Sequence, residues 1–191
     1  VTKDAIIFEL IYKNNKIKCQ PNLFGRQNIE NVIASCFAAL QLGFTLQEIT
    51  TAVSKLKPPV HTMRLFYNKD KNPLVDDTFN SNPDGVLAAL EYLSLYKQSK
   101  YLVMTPLIEL GKESKNIHEF IGEKAAIVCD RVYLTNPNYY NSFASGWKKR
   151  RPEAEIGFIN NCKLPDNGMV LFEGKEAGKI FRFIEGKDPA H

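Results

Sequence analysis

Residues 74–85 read Leu74-Val75-Asp76-Asp77-Thr78-Phe79-Asn80-Ser81-Asn82-Pro83-Asp84-Gly85. Leu74 and Val75 end a short apolar strand, and Asp76 and Asp77 stand at its carboxyl edge. Asn82, Pro83 and Asp84 match a helix cap, a first-turn proline and a first-turn acid. The stretch is therefore a strand, a polar loop and the start of a helix. In an open α/β sheet, ligands bind just beyond the carboxyl ends of the strands. This loop sets acidic and amide groups at that place.

The pattern continues downstream. Met63–Tyr67 and Pro73–Asp77 are expected to be strands joined by the polar turn 68–72. A helix follows from Pro83 to about Tyr96, then a strand at Tyr101–Thr105. Ser114–Cys129 has helical spacing, with Ile117, Phe120, Ile121, Ala125 and Val128 inward. Arg131–Leu134 is a strand, Tyr139–Arg150 a helix and Glu155–Ile159 a strand. Met169–Phe172 and Lys179–Ile184 are expected to close the sheet. Strands alternating with helices of this length predict an α/β, Rossmann-like domain with a mostly parallel sheet.

Upstream, Ala5–Tyr12 and Lys16–Gln20 form a hairpin around Asn14-Asn15. Val32, Ile33, Cys36, Phe37 and Leu40 give the apolar face of a helix from Asn28 to Leu42, with Gly43 as its stop. Thr45 and Glu48 form a capping box for a second helix, whose apolar face is Leu46, Ile49, Val53 and Leu56. Pro58-Pro59 ends it. This predicts two domains, 1–57 and 58–191, with a mobile tail from Gly186 to His191.

With 191 residues, 44% hydrophobic and 24% charged, the chain has the composition of a globular protein able to build a core unaided. A net charge of +4 suits an anionic nucleotide but does not argue for nucleic acid. Cys19, Cys36, Cys129 and Cys162 are far apart and form no CxxC pair, which speaks against zinc or a disulfide framework and for a reducing compartment. No apolar run reaches the about 18 residues of a membrane span, and no signal peptide opens the chain.

Three motifs together carry a family resemblance. The loop at Asp76–Pro83 resembles the Asp-Asp-x-Tyr-Asn-x-Asn-Pro loop of the Mur ligase family, with Phe79 in place of Tyr. Upstream, Gly25-Arg26-Gln27-Asn28-Ile29-Glu30-Asn31 is similar to the family's Gly-x-His-Asn-x-x-Asn, with Gln27 in place of His. Downstream, Ile108-Glu109-Leu110-Gly111 followed by His118 resembles its Glu-Leu-Gly…His segment. Order and spacing agree from about Asn22 to about Tyr133. Within the family, the loop resembles the branch that adds D-alanyl-D-alanine to a UDP-linked muramoyl peptide.

The resemblance implies roles, and each has a plainer alternative. Asp77 would hold the ATP ribose, or it merely ends a strand. Arg64 would reach ATP across the domain junction, or it is a surface strand residue. The family often has Gly-Arg where this chain has Met63-Arg64, so His61 is the other candidate there. Asn28 and Asn31 share a helical face, and the second would contact adenine; Asn28 alone reads as a helix cap. Asn80 and Asn82 would meet the incoming amino acid or dipeptide, although capping explains Asn82 by itself. Glu109 would orient substrate or cap the next helix. His118 is the residue matching the family's His, but its place beside Ile117 reads first as a half-buried histidine bordering the core.

Two features are set aside. Between Gly168 and Gly174 lie five residues, and Lys175 is followed by Glu176. A phosphate loop needs four, and a Ser or Thr after its Lys. The resemblance would put Lys-Gly-Ser near Glu173-Gly174-Lys175, whose role stays open. Lys148-Lys149-Arg150-Arg151 closes a helix, where cations complement the dipole.

The resemblance implies an ATP-dependent amide-forming ligase of peptidoglycan precursor synthesis, using ATP and magnesium, in the cytoplasm. No phosphate loop or magnesium site is visible in the sequence, and Val1 stands where an initiator Met would. The chain is therefore expected to be the tail of a central ATPase domain plus a carboxyl-terminal domain. It is expected to be inactive alone, with no tightly bound cofactor, nucleic acid or membrane. The rivals are another amide ligase of the family, of folylpolyglutamate or cyanophycin type, and a non-catalytic α/β binding or assembly module.

Overall fold

The computed structural model describes Thr2, residues 5–159 and residues 167–184. Cys162 and the tail Gly186–His191 lie outside the described residues. The chain divides into two compact units, Val1–Pro59 and Val60–His191.

In the first unit, strands β1 (Phe8–Tyr12) and β2 (Asn15–Cys19) pair antiparallel. Tyr12 pairs with Asn15, so the turn is Lys13-Asn14, one residue earlier than expected, with Lys13 at φ 54°. Helix α1 (Gln27–Gln41) and helix α2 (Leu46–Val53) follow. The expected capping box forms: the Thr45 amide donates to Glu48 Oε2 at 2.8 Å, and the Glu48 amide donates to Thr45 Oγ1 at 3.3 Å. Ile6, Leu10, Cys19, Leu23, Val32, Cys36, Ile49 and Val53 make the core of this unit. Phe37, expected inward, is instead exposed at the helix rim, where its ring meets Tyr12 edge-on. The apolar stripe of α1 is narrower than its composition suggests.

The second unit is built on six strands. They are β3 (Arg64–Tyr67), β4 (Pro73–Asp77), β5 (Lys100–Met104), β6 (Arg131–Leu134), β7 (Gly157–Phe158) and β8 (Met169–Glu173). Their spatial order is β3-β4-β8-β5-β6-β7, and every pair is parallel except β3 with β4. The mostly parallel α/β expectation therefore holds. Helices α3 (Pro83–Ser94), α4 (Ser114–Val128), α5 (Tyr140–Lys148) and α6 (Lys175–Ile184) complete it.

One element was misjudged. Lys179–Ile184 is not a closing strand but the second half of α6. Ile180, Phe181 and Ile184 look β-forming in isolation, yet with Ala177 and Gly178 they fall at helical spacing. Ala177 and Phe181 pack on Leu74, Val103, Val170 and Phe172, with Ile180 and Ile184 alongside. On α4 the buried face is His118, Ile121, Gly122, Ala125 and Ala126, and Phe120 is exposed, not inward. The reason is α5, which presses on α4 at two glycines. A Cβ at Gly146 would lie 1.7 Å from the Glu119 carbonyl oxygen, and one at Gly122 would lie 2.1 Å from that of Phe143. Only glycine permits this backbone approach.

Candidate functional site

Strand β8, last in sequence, inserts between β4 and β5. Strand β4 leads into α3, whereas β8 leads into α6, which covers the face bearing Leu74, Val170 and Phe172. Adjacent parallel strands thus send their chains apart at the carboxyl edge. That divergence opens the crevice in which such sheets bind ligands. The loop 78–82 lies on this edge, together with the turns after β5, β6 and β8.

Two carboxyls end neighbouring strands here, Asp77 on β4 and Glu173 on β8, directly in register. Both are buried. The Met63 amide donates to Asp77 Oδ1 at 3.1 Å, and the Ser81 hydroxyl donates to Glu173 Oε1 at 2.7 Å. Glu173 Oε2 is buried and has no partner. Burial pushes Asp77 up from 3.8 to about 6, the Met63 bond opposes this, and the charge of Asp76 adds to it. Burial also raises Glu173 well above the usual carboxylate range, and Asp77 reinforces the shift. Neighbouring buried carboxyls resist ionising together.

Asp76 points the other way and is also buried. His61 Nδ1 lies 2.7 Å from Asp76 Oδ2, and the Thr78 hydroxyl donates to Asp76 Oδ1 at 2.7 Å. The amide of Phe79, the next residue in the loop, donates to the His61 carbonyl at 2.9 Å.

The rest of the loop is open. Asn80 and Phe79 are exposed, and Asn82 caps α3, its Oδ1 accepting from the Gly85 amide at 2.9 Å. The start of α6 is closed by Thr105, whose Oγ1 accepts the amides of Glu176 and Ala177 at 3.1 Å each. Glu176 is held in turn by Thr135 at 2.6 Å and Asn136 at 2.7 Å, and these bonds lower its pKa.

Glu109 lies exposed in the turn after β5 with φ 63°. His118 is fully buried rather than half-buried. Its Nδ1 donates to the Ser114 carbonyl at 2.6 Å, its Nε2 accepts the Leu107 amide at 3.0 Å, and Tyr139 stacks on its ring at 4.3 Å. Burial lowers its pKa. A neutral imidazole with both nitrogens engaged pins the loop 105–113 to α4.

Arg64 lies on the outer strand, with its guanidinium over the Phe66 ring at 4.9 Å and no ion pair among the described residues. In the first unit, Asn28 does not cap α1, which starts at Gln27 without a side-chain cap. Its amide donates to the Phe24 carbonyl at 2.7 Å and closes the preceding turn. Asn31 is exposed, and Gln27 Oε1 is buried without a partner. Among the described residues, no group of three or more His, Cys, Asp or Glu is placed to hold a metal. Three residues of the basic run are paired: Lys149 with Glu119 at 2.7 Å, Arg150 with Glu123 at 2.8 Å, and Arg151 with Asp130 and the Ala126 carbonyl. Described Cys19, Cys36 and Cys129 are buried free thiols, and burial pushes Cys129 up to about 12.

Glu173 and Thr105 carried no motif and were missed by sequence reasoning. The only signal was the departure of Glu173-Gly174-Lys175 from Lys-Gly-Ser.

These features define an α/β domain whose polar carboxyl edge lies at a topological switch point. The chain is 30% identical over 133 residues to the UDP-N-acetylmuramoyl-tripeptide–D-alanyl-D-alanine ligase of Escherichia coli K12, over 69% of its own length and 29% of the relative's. Its fold matches a MurF of Acinetobacter baumannii with TM-score 0.80 at 19% identity, covering 97% of this chain and 42% of that one. It also matches the MurF ligase of Thermotoga maritima, solved in complex with ADP, with TM-score 0.71 at 19% identity, covering 96% and 46%. No family model matches the chain. The chain belongs to the Mur ligase family. It spans less than a third of the length of the first-named relative. No helix among the described residues is long and apolar enough to cross a membrane.

Proposed function

We propose that this chain is part of an ATP-dependent ligase of peptidoglycan precursor synthesis, acting in the cytoplasm. The reaction joins the carboxylate of a UDP-linked muramoyl peptide to the amine of D-alanyl-D-alanine or a similar acceptor. The observation that carries this reading is the loop Asp76–Asn82 at the crevice between β4 and β8, in a chain whose E. coli relative bears that activity in its name. ATP supplies the phosphoryl group that activates the carboxylate, with magnesium as its counter-ion.

The side chains divide the work. Asp77 keeps Oδ2 for the ribose hydroxyls while Oδ1 holds Met63. Arg64, without an ion pair of its own, offers a planar fork to phosphate or ribose oxygens. Asn31 is the adenine contact, and Asn28, whose side-chain amide holds the Phe24 carbonyl, shapes the turn beside it. Asn80, Asn82 and Glu109 serve the acceptor side, and His118 fixes the loop that carries Glu109. The units 1–57 and 58–191 correspond to the end of a central ATP-binding domain and a carboxyl-terminal domain. Positioning and charge stabilisation are the main contributions in phosphoryl transfer.

The test uses the complete ligase. Asp77→Ala and Arg64→Ala should each raise KM for ATP about 10-fold or more, the worth of a hydrogen bond to a charged group. Acceptor KM should stay near wild type. Wild-type ATP kinetics in both variants would overturn the nucleotide roles.

A further inference from the structure

The segment entering β3 adopts a backbone that its residues do not favour. His61 has φ 60° and Met63 φ 43°, both left-handed and neither glycine. Such strain persists only where the surroundings enforce it. Three contacts do so here: the Phe79 amide on the His61 carbonyl, the Met63 amide on Asp77, and His61 Nδ1 on Asp76.

The side-chain geometry is that of an oriented base. Asp76 Oδ2 lies 2.7 Å from Nδ1, and its other oxygen is fixed by Thr78. The Asp76 side chain is 1% exposed and that of His61 is 37% exposed. A nitrogen that faces a carboxylate carries the proton, which leaves the lone pair on Nε2. Among the described residues Nε2 has no hydrogen-bond partner. A buried carboxylate, an imidazole held by it and a free, accessible nitrogen form the orienter–base pair of general-base catalysis. The pair is anchored through Phe79 to the loop that carries Asn80 and Asn82.

We propose that His61 accepts the proton of the incoming ammonium, with Asp76 as its positioning residue; this rests on the ligase reading above. The ammonium R–NH3+ gives one proton to Nε2. The freed nitrogen electron pair attacks the acyl-phosphate carbon. The C–N bond forms, the bond from carbon to the phosphate oxygen breaks, and phosphate leaves with that electron pair. The nitrogen sheds its second proton to solvent, and the imidazolium returns its own to solvent. Asp76 stabilises the imidazolium between these steps.

The experiment compares the complete wild-type ligase with His61→Ala. Positioned proton transfer contributes roughly 100-fold or more, so kcat should fall by about that factor while KM for ATP holds. Added imidazoles should restore turnover, and the restored rate should rise with their basicity. Asp76→Asn should lower kcat and leave KM for ATP alone. If His61→Ala fails to fold, His61→Gln, which keeps a donor toward Asp76, must show the same loss of kcat. Raised KM for ATP without imidazole rescue would make His61 a phosphate contact and overturn the proposal. Unchanged kcat, or rescue indifferent to basicity, would reduce the pair to a clamp on the fold. Failure of the wild-type enzyme to ligate would remove the ligase reading itself, which separates the two failures.

Discussion

Replacing Asp77 by Asn should stabilise the second unit at neutral pH and leave it unchanged in acid. Asp77 titrates near 6 in the fold against an ordinary 3.8, chiefly through burial. Its pKa is raised, so the folded chain binds the proton more tightly than the unfolded chain. Stability from this group is then fully present below about pH 4 and is lost as pH rises through about 6. At about 1.4 kcal/mol per pH unit, the ionised carboxylate costs the fold about 3 kcal/mol at pH 7.5. Asparagine keeps the oxygen that accepts the Met63 amide and removes the charge. Urea unfolding can be followed by the single tryptophan, Trp147, which is buried in α5 of this unit. With m near 1–3 kcal/mol/M, the Asp77→Asn midpoint should lie about 1 M or more above wild type at pH 7.5 and converge on it by about pH 3. Glu173→Gln should move the midpoint in the same direction. The double variant should gain less than both changes added, because each single change already relieves the shared repulsion. Parallel pH profiles for wild type and Asp77→Asn would refute the reasoning. So would a variant less stable at pH 7.5.

Asn82→Ala should cost about 1 kcal/mol, the worth of an N-cap. In the complete ligase it should also raise the acceptor KM while sparing that of ATP; a lowered melting temperature alone would leave Asn82 as only a cap. Gly146→Ala should destabilise the second unit by more than the roughly 1–3 kcal/mol usual for overpacking, since its Cβ would meet backbone rather than a movable side chain. A wild-type melting temperature would contradict that packing. Arg150→Ala should change stability by no more than about 1 kcal/mol, because Arg150 itself is exposed and water screens its pairing with Glu123. The 191-residue chain, whose sequence holds no phosphate loop, should hydrolyse no ATP, and phosphate release by the pure chain would show otherwise.

The sequence made the sheet legible wherever strands were short, apolar and bounded by turn residues. Pro73–Asp77 and Arg131–Leu134 occur with the expected bounds. It misled at Lys179–Ile184, where local β propensity competed with helical spacing and the spacing won through packing on Phe172 and Val170. Phe120 shows a related limit. Its period fitted the inward face, but the backbone contact at Gly122 and Gly146 turned α4 so that His118 and Gly122 are buried instead. Close approach of two backbones depends on what is absent from a side chain, and hydrophobic periodicity carries no such information.

The candidate site was legible in one half only. Asp76 through Asn82 form a contiguous motif, and their place at the carboxyl edge follows from strand, loop and helix in succession. Glu173 lies 92 residues from Ser81, yet it accepts that hydroxyl at 2.7 Å and stands in register with Asp77. Its position depends on the last strand inserting between β4 and β5, and a single sequence does not give strand order. His61 and Asp76 depend on geometry in the same way. Both were visible as polar residues near a boundary, but their 2.7 Å contact comes from the left-handed backbone at His61 and Met63. A sequence supplies the groups of this site. The topology and two unfavourable φ values decide which of them meet.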